Sequence, residues 1–170
     1  TTLAQRKAIG ALCADAGVAI SNRIPGEYTF YNSSVTTAFT HSAKLGLTND
    51  ANGFKYSNAI FGYNGGSNIG DGLIGMVNPD LDAGKPVCFG IKGSEGHEVV
   101  CDGYGYNAGT MYHHLNMGWS GSQDAWYDLP DINSLPTSYN SVYETIYNIF
   151  WLGSGEVMSG RVTDPCGNPI

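Results

Sequence analysis

The feature that most constrains the fold is a change in residue pattern at Val87, where helical spacing of apolar residues is replaced by short strand-forming segments. From that point strand-forming residues gather in short runs, and turns rich in Gly, Asn or Asp separate most of them. The predicted strands are Val87–Ile91, His97–Gly103, Thr110–Asn116, Ala125–Leu129 and Glu144–Leu152. Strands joined by short turns favour an antiparallel meander.

Before Val87 the sequence predicts helices and one long loop. Apolar residues recur at helical spacing over Leu3–Ile20, and Ser33 or Ser34 is a suitable cap for a second helix that ends near Leu45. The aromatic, Gly- and Asn-rich stretch Asn49–Asn68 is expected to be an irregular loop, and Ile69–Leu81 is expected to be helical. Helices followed by an antiparallel sheet indicate the α+β class.

The composition limits the classes of protein to consider. With 170 residues, of which 42% are hydrophobic, the chain is long enough for one folded domain with a core. A net charge of −7 and a pI near 4.8 argue against nucleic acid and anionic membranes as partners. The sequence contains no run of about 18 apolar residues, so no membrane-spanning helix is predicted.

A histidine begins the first strand of a predicted hairpin, and an asparagine ends the second strand. If the turn is Tyr104–Gly109 and the register is symmetric, Gly103 faces Thr110 and His97 faces Asn116. Directly opposed residues have Cβ atoms about 4.5–5.5 Å apart. The Asn116 side chain is therefore expected to accept a hydrogen bond from the His97 imidazole, which is the arrangement of Cys-His-Asn peptidases.

Two neighbouring residues are expected to support this pair. Trp119 follows three residues after Asn116 and is predicted to cover the pair, which would exclude water and strengthen the hydrogen bond. Gly96 precedes His97 and leaves room for a substrate backbone. The simpler alternative is that His97 is an ordinary surface histidine and that Asn116–Trp119 is a plain turn with a core tryptophan.

The remaining histidines and the cysteines give no metal site. His113 and His114 are adjacent in a strand and point to opposite faces, so they are not expected to bind one metal ion together. His41 lies in the second predicted helix without a ligand partner four residues away. The four cysteines match no zinc spacing, and no cofactor is predicted.

Four segments carry a family resemblance: Lys85-Pro-Val-Cys-Phe-Gly90, Gly96-His-Glu-Val-Val-Cys-Asp-Gly-Tyr104, Tyr112-His-His-Leu-Asn-Met-Gly-Trp-Ser-Gly121 and Ala125-Trp-Tyr-Asp-Leu129. In these segments, and more loosely over roughly residues 5–155, the chain resembles streptopain-type cysteine peptidases (peptidase family C10, papain-like fold). The resemblance implies N-terminal helices followed by an antiparallel sheet. It also implies that His97 and Asn116 are catalytic and that Trp119 and Gly96 support them.

The chain departs from the family pattern at three places. Glu98 stands where the family usually has a small Ala, and Met117 replaces a family Trp. The family's nucleophile motif, a Gly-Cys-Val-Ala-Thr-Ala type of helix start, does not occur in the chain. We therefore expect the nucleophilic Cys to precede Thr1 in a longer precursor or on a separate chain. This chain alone is expected to be inactive.

None of the four cysteines present is expected to replace the missing nucleophile. Cys13 falls in the middle of a predicted helix, whereas a reactive thiolate is favoured at a helix N-terminus. Cys101 shares a strand face with His97 but lies four residues, about 13 Å, along the strand. Cys88 is expected to face Val100, and Cys166 lies in the tail.

The resemblance implies a secreted or cell-surface bacterial cysteine endopeptidase that cleaves proteins or peptides. Whether a propeptide inhibits it is left open by the sequence. The alternatives are a non-catalytic papain-like binding or scaffold module, which Glu98 and Met117 mildly favour, and a Cys-His amidase. Ser159–Ile170 resembles the start of a carboxypeptidase-regulatory-like β-sandwich domain. The predicted domains are therefore 1–157 for the peptidase part and 158–170 for a following domain or linker.

Overall fold

The computed structural model of the chain describes residues 1–11, 59–134, 136–149, 157–159 and 164. Residues 3–11 are helical and are called α1, and α2 is Gly72–Asp82. The strands, in chain order, are β1 Ile60–Tyr63, β2 Val87–Gly93, β3 Gly96–Asn107, β4 Thr110–Asn116, β5 Ala125–Tyr127, β6 Ile132–Asn133 and β7 Ser138–Tyr147. Neither described helix is long and apolar enough to span a membrane.

The seven described strands form one antiparallel sheet. Its order is β1-β7-β2-β3-β4-β5, and β6 pairs with β7 outside this path. Strand β2 lies at the centre and pairs with β3 on one side and β7 on the other. Strands β2 to β5 follow each other in space as they do in sequence, so the predicted meander holds for these four strands. The last predicted strand, Glu144–Leu152, corresponds to β7, which lies on the other side of β2 and not beside β5.

The main core lies on the face of the sheet that α2 covers, called the core face below. Three alternate residues of β2, namely Val87, Phe89 and Ile91, are fully buried there. Leu73 and Val77, one turn apart on α2, pack against them. The α+β class predicted from the sequence is therefore confirmed, with α2 preceding the meander.

The predicted strands occur with shifted ends, and two described strands, β1 and the two-residue β6, were missed. The expectation for Thr110–Asn116 matches β4 in full, whereas β3 runs on to Asn107 and β7 begins at Ser138 rather than Glu144. The loop predicted over Asn49–Asn68 contains β1. Its residues pair with the C-terminal half of β7, a contact between distant segments that local sequence does not reveal.

The predicted register of the β3–β4 hairpin is wrong. The strands continue to Asn107 and Thr110, and the turn consists of Ala108 and Gly109 alone, both with positive φ. Such two-residue turns match the twist of the paired strands. A bulge at Asp102 shifts the register once more, so that Val100 faces Asn116. His97 has no partner on β4 and instead faces Ile91 of β2.

Several predictions fall on residues outside the described ranges. The second predicted helix, from Ser33 to Leu45, is one of them, and so is the part of the first helix after residue 11. Helix Gly72–Asp82 agrees with the prediction for Ile69–Leu81 apart from its first three residues and its last one. The predicted domain boundary after residue 157 stays a prediction.

Gly93 provides a test of the β2–β7 pairing. A Cβ atom at this position would lie 2.1 Å from the carbonyl oxygen of Ser138, which is backbone and cannot move aside as a flexible side chain would. We expect Gly93→Ala to lower the free energy of unfolding by at least about 2 kcal/mol in urea titrations. Gly75→Ala is the control, because it adds a methyl group in open space on α2 and should stabilise by up to about 1 kcal/mol. Equal stabilities of Gly93→Ala and the parent would contradict the pairing.

Candidate active site

Two aromatic rings pack near the imidazole of His97 on the core face. His97 is the second residue of β3, directly after the β2–β3 turn, and it is partly buried. The Trp119 ring stacks on it with ring centroids 4.7 Å apart and an interplanar angle of 23°. The Tyr139 ring of β7 also lies nearly parallel to it, with centroids 6.1 Å apart. Aromatic contacts of this kind restrict the orientation of the imidazole.

A backbone carbonyl fixes the protonation pattern of this imidazole. His97 Nε2 lies 2.8 Å from the carbonyl oxygen of Met117. A carbonyl only accepts hydrogen bonds, so Nε2 must carry the hydrogen and donate it. In the neutral ring the lone pair is then on Nδ1, which makes Nδ1 the basic atom of the residue.

The turn that presents the Met117 carbonyl is held by side chains on both sides. Asn116 Oδ1 accepts a hydrogen bond of 2.9 Å from the Gly118 N–H, and Gly118 has φ of +74°. The Met117 N–H donates to Asp124 Oδ1 at 2.8 Å. The Met117 side chain is fully buried in the core. Together these contacts fix the position of the carbonyl.

The structure brings Trp119 to His97 as predicted but gives Asn116 a different contact. Asn116 lies on the face opposite α2 and is exposed, and its side chain contacts the turn rather than the imidazole. The acceptor for His97 is the carbonyl of the next residue. Sequence reasoning missed this acceptor because every residue has a backbone carbonyl. It also missed Tyr139, which lies 42 residues further along the chain.

Gly96 lies where the sequence predicted, at the exposed start of β3. A Cβ atom at this position would have its nearest contacts at 3.9 Å, to the Ile91 carbonyl oxygen and the Tyr143 hydroxyl. A methyl group at Gly96 would therefore make ordinary van der Waals contacts with the described residues and no clash.

The two described cysteines have the properties of structural thiols. Cys101 is fully buried in the core, and burial raises the pKa of its thiol to about 12. Cys88 is on the face opposite His97, and burial with the nearby Glu98 charge raises the pKa of its thiol to about 11. A raised pKa lowers the thiolate fraction and so the reactivity. Cys13 and Cys166 lie outside the described residues.

The prediction that His113 and His114 point to opposite faces is confirmed. His113 is buried on the core face, where its Nε2–H donates to Asn78 Oδ1 at 2.9 Å, and burial lowers its pKa to about 4. His114 is on the opposite face and pairs with Asp102. Within the described residues, no three His, Cys, Asp or Glu side chains are arranged to hold a metal ion.

Comparison with known proteins decides the family. The model of the Peptidase C10 family matches residues 1–127. The chain belongs to the peptidase C10 family. The streptopain-like resemblance predicted from the segments around His97 and Asn116 is thereby confirmed.

A solved structure supports the same fold. The chain is similar to active wild-type interpain A cysteine protease from Prevotella intermedia, with a TM-score of 0.60 and 21% sequence identity. The match covers 89% of this chain and 59% of the interpain A chain, so this chain spans little more than half the length of that protease. No curated protein sequence matches the chain significantly.

Glu98 and Met117 depart from the family pattern, but their side chains do not point towards the His97 imidazole. Glu98 follows His97 in β3 and therefore points to the opposite face, where it lies over Gly90 of β2. Met117 contributes its carbonyl to the site and its side chain to the core. Neither the Glu98 nor the Met117 side chain therefore lies on the imidazole in this chain.

Glu98 generates a prediction about stability and pH. Within the described residues neither of its buried carboxyl oxygens has a hydrogen-bond partner, and the buried Glu144 flanks the same glycine from β7. Burial, and next the Glu144 charge, raise the pKa of Glu98 to about 10. Since the folded state keeps a proton that the unfolded state releases above about pH 4.5, stability falls as pH rises from 4.5 towards 10.

We therefore expect Glu98→Gln to become more stable relative to the parent as pH rises from 5 to 8. The slope for one proton is at most about 1.4 kcal/mol per pH unit. Urea unfolding at several pH values measures it. The control is Glu95→Gln, an exposed carboxylate in the β2–β3 turn. A pH dependence that is identical in Glu98→Gln and the parent would contradict the protonated state of Glu98.

Proposed function

We propose that this chain carries the general base of a cysteine endopeptidase that hydrolyses peptide bonds in proteins. The observation that supports the proposal is the hydrogen bond from His97 Nε2 to the Met117 carbonyl, with Trp119 stacked on the ring. An imidazole whose Nε2–H is fixed in this way presents a basic Nδ1. That is what a partner thiol requires.

In the proposed mechanism, His97 Nδ1 takes the proton of a cysteine thiol that lies outside the described residues. The thiolate attacks the carbonyl carbon of the scissile peptide bond, and a tetrahedral intermediate forms. The imidazolium then returns the proton to the leaving amine as the C–N bond breaks. Water, deprotonated by His97, hydrolyses the thioester and regenerates the thiol.

The surroundings of His97 suit both protonation states of the ring. The Met117 carbonyl accepts the Nε2–H in the neutral and in the charged form, so the hydrogen bond is kept through the cycle. The Trp119 ring stays stacked on the imidazolium formed during the cycle, because an aromatic face attracts a cation. The same stacking shields the hydrogen bond from water, which strengthens it.

The family supports a protein or peptide as substrate, and we propose that the enzyme acts outside the cell. Both the activity and the substrate are properties of a whole peptidase. The interpain A chain is longer than this chain, which covers 59% of it.

The decisive experiment is labelling with a thiol-directed inhibitor in the full-length protein. We expect His97→Ala to abolish labelling and the hydrolysis of casein, because no base then forms the thiolate. His114→Ala is the matched control, since it removes a partly exposed histidine from the opposite face. Labelling of His97→Ala at the parent rate would exclude His97 as the base.

Variants of Asn116 test whether its side chain orients the His97 imidazole directly or through the turn that it stabilises. The resemblance makes Asn116 catalytic, and its contact with Gly118 supports an indirect role through the Met117 carbonyl. We expect Asn116→Ala to lower kcat about tenfold with little change in KM. Asn116→Asp should lose less activity, because its carboxylate still accepts the Gly118 N–H. Equal losses in the two variants would argue against the indirect role.

A further inference from the structure

An exposed indole extends across three strands on the face opposite α2. Trp126 of β5 is 55% exposed. A Cβ atom on Gly103 would lie 3.8 Å from its Cη2, and one on Gly105 would lie 3.7 Å from its Cζ3. The ring therefore extends from β5 across β4 to the two glycines of β3. Side chains longer than a methyl group at these two positions would lift the ring off the sheet.

A carboxylate on the same face of the sheet is linked to this ring through His114. Asp102 is the extra residue between the pairs Cys101–Leu115 and Gly103–His114. It follows the core-face residue Cys101, so its side chain is on the same face as His114. Asp102 Oδ1 lies 2.6 Å from His114 Nδ1. The His114 ring in turn contacts Trp126, with centroids 5.2 Å apart.

This group of residues, called the Trp126 surface, has an unused hydrogen-bonding atom. It consists of Asp102, His114 and Trp126. Asp102 is 48% exposed. Within the described part of the chain, its second carboxylate oxygen has no hydrogen-bond partner. The Trp126 surface therefore offers an exposed aromatic ring and, on the same side of the sheet, a carboxylate oxygen without a partner among the described residues.

We propose that the Trp126 surface binds an arginine side chain of a basic peptide segment. A guanidinium group stacks on an aromatic face while its N–H groups, which lie in its own plane, remain free to reach a carboxylate beside the ring. Asp102 and Trp126 provide these two partners together. The net charge of −7 attracts a basic segment and repels the phosphates of a nucleic acid, whose bases could also stack.

The Trp126 surface is separate from the candidate active site. His97 points to the core face at the start of β3, whereas Asp102 and Trp126 lie on the opposite face. The inference therefore does not depend on the proposed peptidase activity, and it can be tested in a protein without the nucleophile.

The test is an NMR titration of the full chain, followed through the backbone amide signals of Gly103 and Gly105. The probe is N-acetyl-arginine amide at low ionic strength, with an expected dissociation constant on the order of 1 mM. N-acetyl-citrulline amide has the same shape without the charge, and N-acetyl-lysine amide has the charge without the planar group. We expect arginine to bind at least about fivefold more tightly than either.

Two variants locate the binding. Asp102→Asn keeps the shape of the side chain and should weaken arginine binding at least about fivefold, whereas the control Asp131→Asn should not. Trp126→Leu should abolish the shifts, and it serves as the test if Asp102→Asn does not fold. Citrulline binding as tightly as arginine, or unaltered binding to both variants, would overturn the proposal. Tighter binding of an N-acetylglucosamine oligomer would also overturn it in favour of a carbohydrate site.

Discussion

The pairing of β2 with both of its neighbours is the constraint on which the rest of the structure depends. Its ladder with β3 holds His97 opposite Ile91, and its ladder with β7 brings Tyr139 opposite Gly93. The imidazole and one of its two aromatic neighbours therefore come from segments on either side of a single central strand. Because β2 buries alternate residues under α2, the same burial that stabilises the core also positions the candidate site.

Much of the fold was predictable because its signals are local. Strand-forming runs separated by turn residues indicated the strands from β2 to β5, and helical spacing indicated α2. The register of the β3–β4 hairpin was not predictable, since it depends on two backbone details. Ala108 takes a left-handed conformation that its residue type does not favour, and the bulge at Asp102 has no sequence signature. Strand β1 was missed because its partner lies more than 80 residues away.

The candidate site, like the fold, could be predicted from the sequence only in part. The identity of His97 and Trp119 could be found from their residue types and their spacing, and the structure places the two rings in contact. The acceptor that orients the imidazole could not be found in this way, because it is a peptide carbonyl. Its position depends instead on the contacts of Asn116 and Asp124 with the turn. An asparagine that sequence reasoning assigns to the imidazole can thus act one residue away from it.

The bulge at Asp102 affects where insertions and deletions can be tolerated during evolution. Residues before the bulge keep their register with β2, while residues after it keep their register with β4. Lengthening or shortening both strands of the β3–β4 hairpin beyond Cys101 would therefore alter the part of the sheet near the Ala108–Gly109 turn and leave the His97 imidazole in place. One residue lost between His97 and Cys101 would instead shift His97 by one position along β2 and turn its side chain to the opposite face of the sheet. Length variation among relatives should accordingly concentrate on the hairpin side of the bulge.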